Sequence, residues 1–143
     1  MSQRLMVFSD GGARGNPGPA AIAYVALSDS GKTVKTDSRF IGVNTNNQAE
    51  YEALIMALKF AASLKIPEVI CYLDSELVVK QLNGEYSVKN HGLQLLFNQV
   101  QALKIHFIKI CFISVPRSHP HIQRADALVN KKLDEEEQRR MLI

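Results

Sequence analysis

Apolar residues follow two rhythms along this chain. Up to residue 43 they fall in short runs broken by turn formers, and from residue 48 they also recur every third or fourth position. Leu5–Ser9 reads as a strand stopping at Asp10. Residues 11–19 hold four glycines and two prolines, a density that predicts a sharply turning loop and neither strand nor helix. Ala20–Ser28 reads as a strand, Asp29–Lys32 as a hairpin turn and Thr33–Val43 as a returning strand. An antiparallel three-strand meander is expected.

Asn44–Asn47 is a cluster of capping residues. Gln48–Lys65, rich in Ala, Leu, Glu, Met and Lys, predicts a long helix closed by Pro67. Val69–Leu73 is an apolar strand stopping at Asp74. Ser75 can cap a short helix to about Leu82, closed by Asn83–Gly84. Leu93, Leu96, Phe97, Val100 and Leu103 share one face of a helix over Leu93–Lys104. Ile105–Val115 reads as a strand, Pro116–Pro120 as a loop, and Ile122 to about Gln138 as a terminal helix. The order β-β-β-α-β-α-α-β-α implies an α/β domain spanning residues 1–143, with a five-stranded mixed sheet. Strands one to three are expected antiparallel. Strands four and five follow helical crossovers and should run parallel to strand one.

Composition narrows the class without naming it. With 46% hydrophobic and 22% charged residues, disorder and fibrous folds are excluded. Two cysteines cannot build a disulfide scaffold, so Cys71 and Cys111 are expected to be reduced, buried and apolar in behaviour. No apolar run suits a membrane span, and Met1–Phe8 lacks the pattern of a signal segment. A cytoplasmic, membrane-free protein is expected. A net charge of +3 permits a polyanionic partner without requiring one.

The chemistry lies in where carboxylates fall. Asp10 and Asp74 end two strands, and sites in open α/β sheets gather at strand carboxyl ends. Glu50 lies in line with Leu54, Ala57, Ala61 and Leu64, on the stripe expected to face the sheet; Glu52 points elsewhere. A carboxylate on a buried stripe is costly unless something pairs with it. Asp126 opens the last helix beside Ala125, Leu128, Val129 and Leu133. Each acid alone is also an ordinary cap or first-turn residue. Converging carboxylates repel one another, and a divalent cation with oxygen ligands resolves that repulsion.

The sequence resembles type 1 ribonuclease H in four motifs, taken in the family's order. They are Asp10-Gly-Gly-Ala-Arg-Gly-Asn-Pro-Gly-Pro19, Asn44-Thr-Asn-Asn-Gln-Ala-Glu50, Leu73-Asp74-Ser-Glu76 and Arg124-Ala-Asp126. The resemblance implies endonucleolytic cleavage of the RNA strand of RNA–DNA hybrids, leaving 5′-phosphate and 3′-hydroxyl ends. It implies two Mg²⁺ ions, replaceable by Mn²⁺, held by Asp10, Glu50, Asp74 and Asp126. Asp10 would bridge the ions, Asp74 would bind on the nucleophile side, and Glu50 would also accept from a ribose 2′-hydroxyl. Gly11 and Gly12 would lie against the minor groove with Asn16, Asn46 and Gln48, while Thr45 would hold a DNA-strand phosphate. Glu76 is a further substrate-side residue by the same carry-over. Double-stranded RNA is a second substrate left open, and a monomer is expected.

The chain also departs from the family pattern. The loop Val115-Pro-Arg-Ser-His119-Pro-His121 lacks the common Gly-His-x-Gly form and is closer to the compact branch. Either His119 or His121 could shuttle a proton, and the plainer reading makes both solvated loop residues. No basic handle follows the third motif, so weak processivity and marked salt sensitivity are expected. The tail Asp134–Arg140 reads as a solvated helix end.

Overall fold

A computed structural model describes residues 3–142. Met1 and Ser2, part of the segment read for a leader, lie outside the described residues. The elements are β1 (Arg4–Ala13), β2 (Gly18–Ser28), β3 (Thr33–Asn44), α1 (Asn46–Ser63), β4 (Glu68–Leu73), α2 (Glu76–Leu82), α3 (His91–Leu103), β5 (Lys109–Ser114) and α4 (Pro120–Met141). They form one five-stranded sheet in the order β3-β2-β1-β4-β5. β1–β2 and β2–β3 pair antiparallel, and β1–β4 and β4–β5 pair parallel, as the crossover argument requires.

The central strands are buried on both faces. Ala20, Ile22, Tyr24 and Ala26 of β2 point into a core shared with α1, α2 and α3. Ala21, Ala23, Val25 and Leu27 point the other way, against Ile122, Ala125, Val129 and Leu133 of α4. One strand thus sits between two helical layers, and its pleat sends alternate residues to each. Tyr51 of α1 is fully buried, and its hydroxyl donates to Gln81 Oε1 of α2 at 2.8 Å. Tyr51→Phe leaves that carbonyl buried without a partner. It should cost about 1–3 kcal/mol in urea denaturation with an unchanged m-value.

Several boundaries differ from the sequence reading. Glycine density there implied a loop over residues 11–19, yet β1 continues to Ala13 and β2 begins at Gly18. Gly11 pairs with Ile22 and Gly12 with Ala21 within the ladder. These glycines serve close packing, which propensity does not register. The last strand starts at Lys109, after a 3₁₀ turn at Lys104–His106. Ile105 and Ile108 are 82% and 90% exposed, so their hydrophobicity marks no buried strand. Leu64, placed on the α1 stripe, is the C-cap residue and is exposed. Cys71 is buried as expected, whereas Cys111 is only partly so. No helix among the described residues is long and apolar enough to cross a membrane.

Candidate active site

Three elements deliver carboxylates to one end of the sheet. Asp10 lies near the end of β1, in register with Ala23 of β2. Asp74 directly follows β4, the parallel neighbour of β1. Glu50 comes from the first turns of α1, whose start is fixed by a reciprocal cap. Thr45 Oγ1 accepts from Gln48 N at 3.2 Å, and Gln48 Oε1 accepts from Thr45 N at 2.9 Å. Glu50 Oε1 accepts from the Gly11 amide at 2.9 Å. A Cβ on Gly11 would meet Ala49 O at 2.3 Å, so only glycine lets α1 settle this low on the strand.

The ligand atoms of Asp10, Glu50 and Asp74 all lie within 4.8 Å of one another. Asp10 and Glu50 are each 7% exposed, and Asp74 is half-buried at the mouth. Burial pushes the Asp10 carboxyl up to about 7, with Asp74 and Asp126 adding repulsion. Burial, then Asp10 and Asp74, push Glu50 well above the usual carboxylate range, although the Gly11 amide opposes them. Glu50 Oε2 is buried with no hydrogen-bond partner. An orphaned buried oxygen among mutually repelling acids fits a divalent cation, which satisfies both deficits. Hard oxygen donors suit Mg²⁺ or Mn²⁺ better than a soft metal.

Asp126 lines the same cavity, of about 400 Å³, but from the exposed first turns of α4. The cavity also collects residues that sequence reasoning missed. Arg117 Nε lies 3.4 Å from Asp74 Oδ2, with the Arg117 side chain 89% exposed. Arg14 and Asn130 stand on the wall toward α4. Arg14 stands inside the first motif and Arg117 inside the Val-Pro-Arg loop, but neither pattern assigns the side chain a place at the site, and nothing marks Asn130.

The expected substrate contacts gather beside this cavity. Asn16, Thr45, Asn46 and Gln48 line an adjoining polar groove of about 410 Å³, with Asn90 of the α3 N-cap. Asn46 and Asn47 line both spaces. The groove is braced: Asn46 N donates to Asn16 Oδ1 at 3.0 Å, and Ala13 N donates to Asn46 Oδ1 at 2.9 Å. Glu76, exposed in the first turn of α2, lines neither space.

The two histidines belong to a helix start rather than a free loop. α4 begins at Pro120, ahead of the expected Ile122, with His119 as its N-cap. His119 Nδ1 accepts from His121 N at 3.2 Å. Both rings lie against Phe8, at 4.9 and 5.0 Å between centroids. Burial, helped by Arg124 and His119, lowers the His121 pKa and favours its neutral form. Neither ring lines the carboxylate cavity.

A reverse transcriptase-like family model matches residues 8–132. The chain is 40% identical over 132 residues to ribonuclease HI of Halobacterium salinarum, covering 92% of this chain and 65% of that protein. It matches a bifunctional protein of Mycobacterium tuberculosis at the same identity, spanning 36% of it. LC11-RNase H1, crystallised in complex with an RNA/DNA hybrid, is 41% identical, with 92% of this chain and 98% of that one covered at a TM-score of 0.85. The chain belongs to the ribonuclease H family. The ribonuclease H fold expected from the motif order is therefore the one observed, down to parallel β1, β4 and β5. The chain accounts for about two thirds of the Halobacterium ribonuclease HI and about a third of the mycobacterial protein.

Proposed function

We propose that this chain, as one ribonuclease H domain over residues 1–143, hydrolyses the RNA strand of RNA–DNA hybrids. The observation that carries the reading is the cluster of Asp10, Glu50 and Asp74 at the carboxyl ends of parallel strands, with Glu50 Oε2 left unpartnered. Asp10, Glu50, Asp74 and Asp126 hold divalent cations, two Mg²⁺ in the working complex or Mn²⁺ in their place. When bound, such cations neutralise charge on the phosphate and lower the pKa of the attacking water.

This chain's own groups position the substrate. The scissile phosphate sits at the cavity mouth, where the exposed Arg117 guanidinium offsets part of the acidic field. Glu50 accepts from the adjacent ribose 2′-hydroxyl, the group that separates RNA from DNA. Gly11 and Gly12 lie against the minor groove with Asn16, Asn46 and Gln48, and Thr45 of the adjoining groove holds a DNA-strand phosphate. Water attacks phosphorus in line, the bond to the 3′ oxygen breaks, and that oxygen takes up a proton. The products carry 5′-phosphate and 3′-hydroxyl ends. His119 and His121 contribute at most to proton transfer near the leaving group, since both pack on Phe8 outside the cavity. The free thiols of Cys71 and Cys111 fit a reducing compartment, so the cytoplasm is the proposed setting, with the protein acting as a monomer.

A strand-labelled assay tests the reading. RNA–DNA hybrid, RNA duplex and DNA duplex are incubated with Mg²⁺ or Mn²⁺. Cleavage confined to the RNA of the hybrid, and stopped by a chelator, is expected. Cleavage of duplex RNA as well would widen the substrate class. Cleavage of the DNA duplex, or none of any strand, would refute the proposal.

A further inference from the structure

The fourth carboxylate is held differently from the other three. Asp126 is exposed on α4, and α4 meets the sheet mainly through apolar side chains such as Ala125, Val129 and Leu133, with a polar tie remote from Asp126's partners, Arg124 Nη2 to Thr33 Oγ1 at 3.2 Å. Apolar contact is non-directional and sets helix rotation and height loosely. Polar contacts at the far side of Asp126 supply direction. Asn130, one turn on, donates from Nδ2 to Asp126 Oδ2 at 3.3 Å and to Asp126 O at 3.1 Å. Asn130 is in turn gripped by Arg14, whose Nη2 lies 3.3 Å from Asn130 Oδ1 and 3.5 Å from Asn130 O. The same guanidinium reaches Asp134 Oδ1 at 2.8 Å and Glu137 Oε1 at 2.7 Å. Residues 130, 134 and 137 form one face of α4.

Arg14 itself stands on a rigid post. It directly follows β1, and its amide donates to Pro19 O at 2.8 Å across the tight β1–β2 turn. That turn tolerates no side chain at Gly18, where a Cβ would fall 2.1 Å from Arg14 O. The tail expected to be merely solvated is therefore bound back to the first motif.

We propose that Arg14 and Asn130 are positioning residues: together they fix the Asp126 carboxylate toward Asp10 and so set the cation affinity of the site. The inference rests on the metal-site reading above. A planar fork is needed because four acceptors on successive turns must be met at once; the single ammonium of a lysine cannot span them. Groups that orient metal ligands typically change affinity by ten- to a hundredfold when removed.

The test uses metal alone. Mn²⁺ binding to the substrate-free protein is followed by electron paramagnetic resonance for wild type, Arg14→Ala, Arg14→Lys, Asn130→Ala and the double variant Arg14→Ala/Asn130→Ala. Each single variant should weaken binding roughly tenfold. The double variant should be no worse than about the weaker single one, because both act through one chain of contacts. Cleavage by the variants should recover at high metal concentration. Unchanged Mn²⁺ affinity with a lower melting temperature would make the clamp structural only and overturn the proposal. Unchanged affinity with a raised KM for hybrid and a salt slope smaller by about one would make Arg14 a phosphate contact, and would equally overturn it. A wild type that binds no Mn²⁺ would instead refute the metal site itself.

Discussion

Asp10→Asn is expected to abolish metal-dependent cleavage while making the metal-free protein more stable. The loss should reach at least about a thousandfold, the several kcal/mol that a metal-held transition state commands. The gain follows from the ionisation of the folded protein. Burial and the neighbouring acids raise Asp10 to about 7 from an ordinary value of 3.8. Between those values the folded chain holds a proton that the unfolded chain has released. Stability therefore falls as pH rises through that window and levels off above it. At pH 7.5 the amide removes this cost, and Asp10→Asn should exceed wild type by about 1–3 kcal/mol in chelator. For a chain of this size that is roughly 2–4 °C in Tm per kcal/mol. Melts from pH 4 to pH 8 should show wild type declining more steeply than the variant, in which buried Glu50 still adds its own decline. Added Mg²⁺ should stabilise wild type, since a ligand of the native state raises its stability by mass action, and should leave the variant almost unmoved. A variant that cleaves at full rate, or that is less stable than wild type in chelator, would remove Asp10 from the metal site.

The carboxylates were legible because their positions carry meaning in one dimension. Asp10 and Asp74 each follow an apolar run, and Glu50 interrupts an apolar stripe, so strand ends and a helix face could be read without coordinates. Their meeting point follows from topology, as parallel β1 and β4 must be neighbours for it. What stayed hidden is chemistry between distant exposed residues. Arg14 and Glu137 are 123 positions apart, and each alone looks like any solvated charge. Arg117 likewise carries no periodic signal. The 3₁₀ turn at Lys104–His106 escapes the pattern for a related reason: Ile105 and Ile108 are apolar but exposed, and a pattern cannot tell which apolar residues the fold will cover. Ser-His-Pro-His has poor helix propensity and predicts a loop, yet Pro120 at the first helical position and a ring packed on Phe8 make His119 a cap.

The glycines of the first motif pose the sharpest contrast between propensity and packing. Gly11 and Gly12 look alike in sequence and both sit in β1, but they face opposite layers. A Cβ on Gly12 would meet Val129 Cγ1 at 3.9 Å, an ordinary contact. A Cβ on Gly11 would lie 2.3 Å from Ala49 O and 2.4 Å from Ala49 C, both backbone atoms of α1. No rotamer change relieves that clash, so α1 must lift from the sheet or β1 must bend. The shift would stretch the 2.9 Å bond from the Gly11 amide to Glu50 and draw Glu50 from Asp10. Gly11→Ala should therefore cost about 3 kcal/mol or more, beyond usual overpacking because the obstacle is main chain. Gly12→Ala should melt within about 0.5 kcal/mol of wild type. Any loss of hybrid affinity in Gly12→Ala would then report the minor-groove approach proposed for that residue, free of a folding defect. Equal melts for the two variants would mean that α1 does not rest on Gly11. Glu50 would then owe its place to the Thr45–Gln48 cap alone, and a Thr45→Ala variant should show the larger drop in cation affinity.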